Sequence, residues 1–256
     1  MLTNIIEIII LSLVQGISEF LPISSSAHLN IVEVIFNFNS NSLMIDVSLH
    51  LGSLLAIIFY FKKELLNLRN NQKLLSVMII GSIPIIVAGY TLSTTGLINL
   101  LEDNLKIIAW TTLIFAIILF LADKSKFNKK ISSNLNLKTI FYIGLFQIFA
   151  LIPGVSRAGI TITAARFFKF DRFDSSKISF LLAIPAITGA SALQLKNAIE
   201  QSFEINYLIL MSILLSFLFS YFTIKFFLVY VNKFSLNIFV IYRVIVSIIL
   251  FIMIYN

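Results

Sequence analysis

Between Gln15 and His28 the chain reads Gln-Gly-Ile-Ser-Glu-Phe-Leu-Pro-Ile-Ser-Ser-Ser-Ala-His, a polar cluster inside a strongly apolar region. Polar and ionisable groups at membrane depth are costly and tend to mark function. Glu19 follows Gln15 by four residues, so the two share a helical face. An oxygen pair at that spacing suits a hard cation such as Mg²⁺ or Ca²⁺. The plainer alternatives for Glu19 are an isolated protonated acid or a partner arginine elsewhere. Pro22 breaks the helix, and Ser24, Ser25 and Ser26 then read as the start of a second one. Serine caps free N–H groups there, and such a terminus attracts phosphate. Capping accounts for one serine, not three. His28 lies four residues after Ser24 and three after Ser25, so either hydroxyl is within reach of its imidazole, the arrangement that activates a nucleophile. A purely structural histidine fits the same spacing.

A second stretch, Ile152-Pro153-Gly154-Val155-Ser156-Arg157-Ala158-Gly159, supplies what the first lacks. The Arg157 guanidinium stays charged and grips phosphate oxygens bidentately. Gly154 lets backbone N–H groups approach the same anion. The two stretches are expected to meet and form one anion site; an Arg157 that only neutralises Glu19 is the simpler possibility, and both can hold. Asp46 and His50 share a helical face and are weaker candidates, supporting the site or simply ending a helix. Glu7, Glu33 and Arg243 are expected at the membrane interface.

The elements that must position these groups are membrane helices. The chain is 59% hydrophobic with mean hydropathy +0.98, and 12% of its residues are charged, against about 25% in a soluble domain. Apolar runs near the ~20 residues that span a bilayer recur along its length. The class is therefore all-α, a polytopic integral membrane protein in one domain. No cleavable leader is expected, because the first residues lack a basic stretch and an A-x-A-like site. Without cysteine there is no disulfide, thiolate metal site or thiol nucleophile. The net charge of +7 does not indicate nucleic acid, because the charges sit in short loops between apolar runs.

Single crossings are expected at 43–61, 74–92, 105–122, 178–195, 207–224 and 236–255, with short polar segments at 37–42, 94–104, 196–206 and a turn at 225–233. The loops at 62–73, 123–138 and 166–177 are rich in Lys and Arg and should be cytoplasmic. Two of them flank the region 139–165, which then must enter and return, bending at Pro153-Gly154. The region 5–38 reads as a matching hairpin, bent near Pro22. Gln15…Leu21-Pro22…Ser24 resembles Gln147…Ile152-Pro153…Ser156. Each half, about 1–122 and about 139–256, is one re-entrant hairpin plus three crossings, which makes an inverted repeat.

Gln15-x-x-x-Glu19, Phe20 to His28, and Pro153-Gly154-Val155-Ser156-Arg157 together resemble the undecaprenyl-diphosphate phosphatases of the bacitracin-resistance type, over nearly the full chain. The resemblance implies removal of the terminal phosphate from undecaprenyl diphosphate, which regenerates the lipid carrier for peptidoglycan and other envelope polymers. It implies a bacterial inner-membrane enzyme with a site open to the periplasmic side and a divalent cation, Mg²⁺ or Ca²⁺. A homodimer is a further possibility. Family roles fall on Glu19 (cation or acid/base), Ser25 (nucleophile), His28 (acid/base or positioning) and Arg157 (diphosphate binding). Ser24, Ser26, Gly154 and Ser156 would help to bind substrate, and Gln15 would join Glu19 at the metal. Three departures stand out: Gln15 brings no charge, Ala27 stands where glycine is common, and Ala158 where serine is common. The rival reading is a polyprenyl-phosphate transporter or flippase, since inverted repeats and broken helices are transporter features.

Overall fold

The structure, a computed structural model, describes residues 2–36, 43–68, 72–96, 104–127, 129–199 and 206–255, without the side chains of 2–4, 73, 132 and 197–199. The polar turn expected at 37–42 lies outside these residues, as does most of the polar segments at 94–104 and 196–206. Among the described residues the regular structure is helical: α1 (Leu2–Ser18), α2 (Ser25–Phe36), α3 (Leu43–Tyr60), α4 (Lys62–Leu66), α5 (Gln72–Thr94), α6 (Leu105–Asp123), α7 (Ile131–Asn134), α8 (Leu137–Gln147, continued by the 3₁₀ turn Ile148–Leu151), α9 (Arg157–Phe167), α10 (Arg172–Ile199), α11 (Tyr207–Lys233) and α12 (Asn237–Tyr255). An isolated parallel bridge joins Lys129 and Phe170.

Six of these are long and apolar enough to cross a membrane: α3, α5, α6, α10, α11 and α12. The chain is a multi-pass membrane protein. The two largest boundary shifts relative to the sequence reading are at the start of α10 and the end of α11. Helix α10 begins at Arg172 rather than 178, because Asp171 caps it: its Oδ1 accepts from the Asp174 N–H at 2.7 Å. Helix α11 runs through the expected turn at 225–233 and stops at Lys233. The real turn, 234–236, is fixed from outside, where the Leu236 N–H donates to Asp123 Oδ2 at 3.1 Å.

The remaining apolar helices are short. At 1.5 Å per residue, α2 and α9 are roughly 18 and 16 Å long, well under the ~30 Å of a hydrocarbon core. Each folds back on the helix before it, α2 on α1 and α9 on α8. Helix α11 lies against α1, α3 and α10, and α5 lies against α8 and α10. Small residues allow these close approaches, as lipid-embedded helices require. A Cβ on Gly144 would fall 2.2 Å from the Gly81 carbonyl oxygen, and one on Gly16 would fall 2.5 Å from Phe219 Cβ. Hydroxyls join the same seams: Ser53 bonds Ser216 at 3.1 Å and Ser220 at 2.9 Å.

The three basic stretches gather at one end of the bundle. Lys177 pairs with Glu64 at 3.3 Å, Arg172 Nε with Asp123 at 2.7 Å, and Lys130 with Asp171.

Candidate active site

Both chain breaks end in the same backbone device. Ser24 and Ser156 each precede the second arm of their pair, and both hold positive φ, 77° and 71°. Such a φ is uncommon for residues other than glycine and lets the chain reverse abruptly into a new helix. The Ser156 hydroxyl caps α9, accepting from the Gly159 N–H at 3.1 Å.

These reversals bring the two stretches together. Arg157 Nη2 donates to Glu19 Oε1 at 2.9 Å and to the Glu19 backbone carbonyl at 3.3 Å. Ser25 Oγ donates to the other carboxylate oxygen, Oε2, at 2.7 Å. Gln15 Nε2 lies 3.2 Å from the same Oε2 and 2.9 Å from His50 Nδ1. One carboxylate is thus shared by a guanidinium, a hydroxyl and an amide. Arg157 Nε is buried and has no hydrogen-bond partner among the described residues. An unpaired charged donor on a side chain that lines a cavity is suited to an anion once the guanidinium turns toward it.

The cavity holds about 210 Å³. Its polar wall is Ser18, Glu19, Ser24, Ser25, Ser26, His50, Ser156 and Arg157; its other wall is mostly apolar, with Ile85, Leu151, Ala186 and Ile187 leading toward Gln194. A polar floor with an apolar flank matches an anionic headgroup on a hydrocarbon chain.

The family model described as "Bacitracin resistance protein BacA" matches residues 8–249. The chain belongs to the BacA family. The chain is 84% identical to the undecaprenyl-diphosphatase of Pelagibacter ubique (strain HTCC1062), over the whole of both chains. It is 39% identical to that of Elusimicrobium minutum (strain Pei191), covering 96% of this chain and 97% of the relative. With the protein of the same name from Campylobacter curvus (strain 525.92) the identity is 38%, over 96% and 98%.

Within this BacA-family site some candidate residues stand elsewhere than their spacing suggests. His28 meets neither serine hydroxyl. Its Nδ1 contacts the Ser24 backbone carbonyl at 2.6 Å, and its Nε2 contacts the Tyr242 hydroxyl at 2.6 Å with the two rings stacked. The reason is local: the Ser24 carbonyl points along the first turn of α2, where it also accepts the His28 backbone N–H at 3.4 Å. Gly154 lies behind the cavity wall; a Cβ there would fall 2.3 Å from Thr111 Oγ1. Arg243 is not interfacial but 1% exposed. It donates to the carbonyls of Gly154 at 2.9 Å, Val155 at 3.2 Å, Thr112 at 3.3 Å and Pro22 at 3.4 Å, holding both breaks from behind. Glu7 is buried as well, on a helix enclosed by α3 and α11. No spacing rule on α12 points to Arg243 or Tyr242; a charge and a tyrosine inside an apolar run are the only signal.

A divalent cation would be held by the Glu19 carboxylate, with Gln15 Oε1 as the further candidate: that oxygen is buried without a hydrogen-bond partner among the described residues, although the amide turns its nitrogen to Glu19. The rest of such a cation's oxygen shell must come from water or phosphate.

Proposed function

We propose that this BacA-family protein hydrolyses undecaprenyl diphosphate to undecaprenyl phosphate and inorganic phosphate. This recycles the lipid carrier for peptidoglycan and envelope polymers and confers bacitracin resistance. The observation that carries the reading is the shared Glu19 carboxylate, with the Ser25 hydroxyl on one oxygen and Arg157 on the other, at the edge of a half-apolar cavity. The names of the relatives support it.

In the mechanism, Arg157 turns its open Nε–H, and the guanidinium N–H groups it now spends on Glu19, to the terminal phosphoryl oxygens. Ser24, Ser26 and Ser156 add neutral donors, and Gly154 shapes the bend that presents them. Ser25 Oγ, or a water in its place, attacks the terminal phosphorus and passes its proton to Glu19. The bond from that phosphorus to the bridging oxygen breaks, and undecaprenyl phosphate leaves with the electron pair. If Ser25 attacks, water then releases phosphate from it. His28 acts by positioning: its contacts fix the carbonyl of Ser24 and so the start of α2. When bound, a cation, Mg²⁺ or Ca²⁺, supplies charge neutralisation at the diphosphate. The prenyl chain lies along Ile85, Leu151 and Ile187 and continues into lipid.

The architecture in this reading is an inverted repeat, about 1–122 and about 139–256, of one re-entrant hairpin and three crossings each. The reciprocal packing of each hairpin's first arm on the other half's second crossing, α1 on α11 and α8 on α5, supports it. So do the paired positive-φ serines. The basic end is cytoplasmic by the positive-inside rule. The cavity wall runs along α10 from Ala186 to Gln194, away from that end, which favours a periplasmic opening. A homodimer within the membrane is a further part of this reading, to be tested by cross-linking.

Phosphate release from undecaprenyl diphosphate by purified protein in detergent, with Mg²⁺, Ca²⁺ or EDTA, tests the proposal beside Ser25→Ala. Cation-dependent release that the substitution abolishes is the expected result. The reciprocal packing equally favours a flippase or transporter. Absence of release from well-folded protein, together with lipid flipping in liposomes, would select that second reading.

A further inference from the structure

We propose that His50 is a further substrate-contacting residue, presenting a hydrogen-bond donor, Nε2–H, to the diphosphate; the inference rests on the phosphatase reading of this cavity. Gln15 is completely buried and its amide nitrogen sits between two acceptors. Glu19 as a carboxylate only accepts, so the atom 3.2 Å from its Oε2 must be the amide nitrogen and not the oxygen. The second amide hydrogen then serves His50 Nδ1, 2.9 Å away. A ring whose Nδ1 accepts carries its proton on Nε2 when neutral. Gln15 therefore selects the tautomer of His50.

The exposure of the ring follows the same division. Its Nδ1 edge is turned into Gln15, while the side chain as a whole stays 28% exposed and lines the cavity. No hydrogen bond engages Nε2 among the described residues, and the partly exposed ring lines the cavity, so we infer that this donor is the one offered to it. His28, by contrast, does not line the cavity, and both of its ring nitrogens are engaged. The imidazole at the reacting groups is thus the one on α3. It also sits opposite Arg157: the guanidinium holds Glu19 Oε1, and His50 Nδ1 lies 3.8 Å from Oε2. An anion above Glu19 would be gripped from both sides.

The test compares His50→Leu, which removes both nitrogens at similar bulk, with His50→Gln, whose amide can offer an N–H to the cavity. Two quantities are measured on each purified protein: the Kd for methylenediphosphonate by calorimetry, and kcat and KM for phosphate release from undecaprenyl diphosphate. In His50→Leu the Kd should rise at least about tenfold, as loss of one hydrogen bond to a charged group predicts. Its kcat/KM should fall in parallel. His50→Gln should stay within about threefold of wild type in both, since it keeps the donor. A wild-type Kd in His50→Leu would mean that Nε2 serves a protein group such as Asp46, one turn earlier on α3, and would overturn the proposal. Equal impairment in both variants would overturn it too, because that pattern marks packing rather than a donor. Wild-type protein that binds methylenediphosphonate but releases no phosphate would end the phosphatase reading, with the binding comparison still deciding His50.

Discussion

At the level of single residues, Glu19 and Arg157 form one buried ion pair that, in the proposed mechanism, serves both folding and chemistry. Their side chains are 6% and 11% exposed, so each charge depends on the other for its solvation. Removing one partner of such a pair strands the other and costs about 3–5 kcal/mol. Arg157→Ala should therefore lose detectable turnover and also unfold at a lower temperature in detergent. Adding Glu19→Gln to it should recover stability without recovering activity, because the stranded charge is gone but the phosphate donor is still missing. Ser25 behaves differently. Among the described residues its hydroxyl bonds only the carboxylate, so Ser25→Ala should lower kcat at least about a hundredfold with an unfolding temperature close to wild type.

At the scale of elements, the two helix breaks matter more than the helices. A buried helix break leaves backbone carbonyls that must find donors inside the protein. Arg243 supplies them, reaching Pro22 on one break and Gly154 and Val155 on the other. Arg243→Met keeps the bulk but orphans these carbonyls, and should cost roughly 3 kcal/mol or more, seen as lower thermal stability. Activity should fall further than stability alone explains, since the breaks carry Ser25 and Arg157. The seams between helices are a separate control. Gly144→Ala inserts a methyl group where the Gly81 carbonyl lies 2.2 Å away, so α8 must move off α5. It should destabilise the protein, and a loss of folded protein in size-exclusion chromatography would register it.

At the scale of the whole molecule, charge decides orientation. The Asp123–Arg172 and Glu64–Lys177 pairs tie the basic stretches into one end, which the positive-inside rule assigns to the cytoplasm. With no native cysteine, the chain is suited to single-cysteine labelling. In intact bacterial cells, a membrane-impermeant maleimide should label Thr95→Cys, at the far end of α5, and should not label Lys126→Cys until the membrane is permeabilised. Labelling of Lys126→Cys in intact cells would reverse the proposed opening of the cavity.

The membrane class, the six helices long and apolar enough to cross and the two breaks were legible in the residues alone, because hydropathy, proline and glycine act locally. The sequence also placed Glu19, Ser25 and Arg157 in one expected site, since polar groups in an apolar run have few other uses. The ends of α10 and α11 were not legible: they depend on Asp171 as a cap and on Asp123 reaching Leu236 across the bundle. Nor was the placement of the two histidines. Spacing put His28 beside the serines, but spacing says nothing of the Ser24 carbonyl and the Tyr242 hydroxyl that engage its ring nitrogens instead. Only the packing of α3 beside α1 brought His50 to Gln15, and only the placement of α12 behind both breaks gave Arg243 its carbonyls. Contacts between distant segments are set by which faces can be buried together, and that is decided by the assembled bundle.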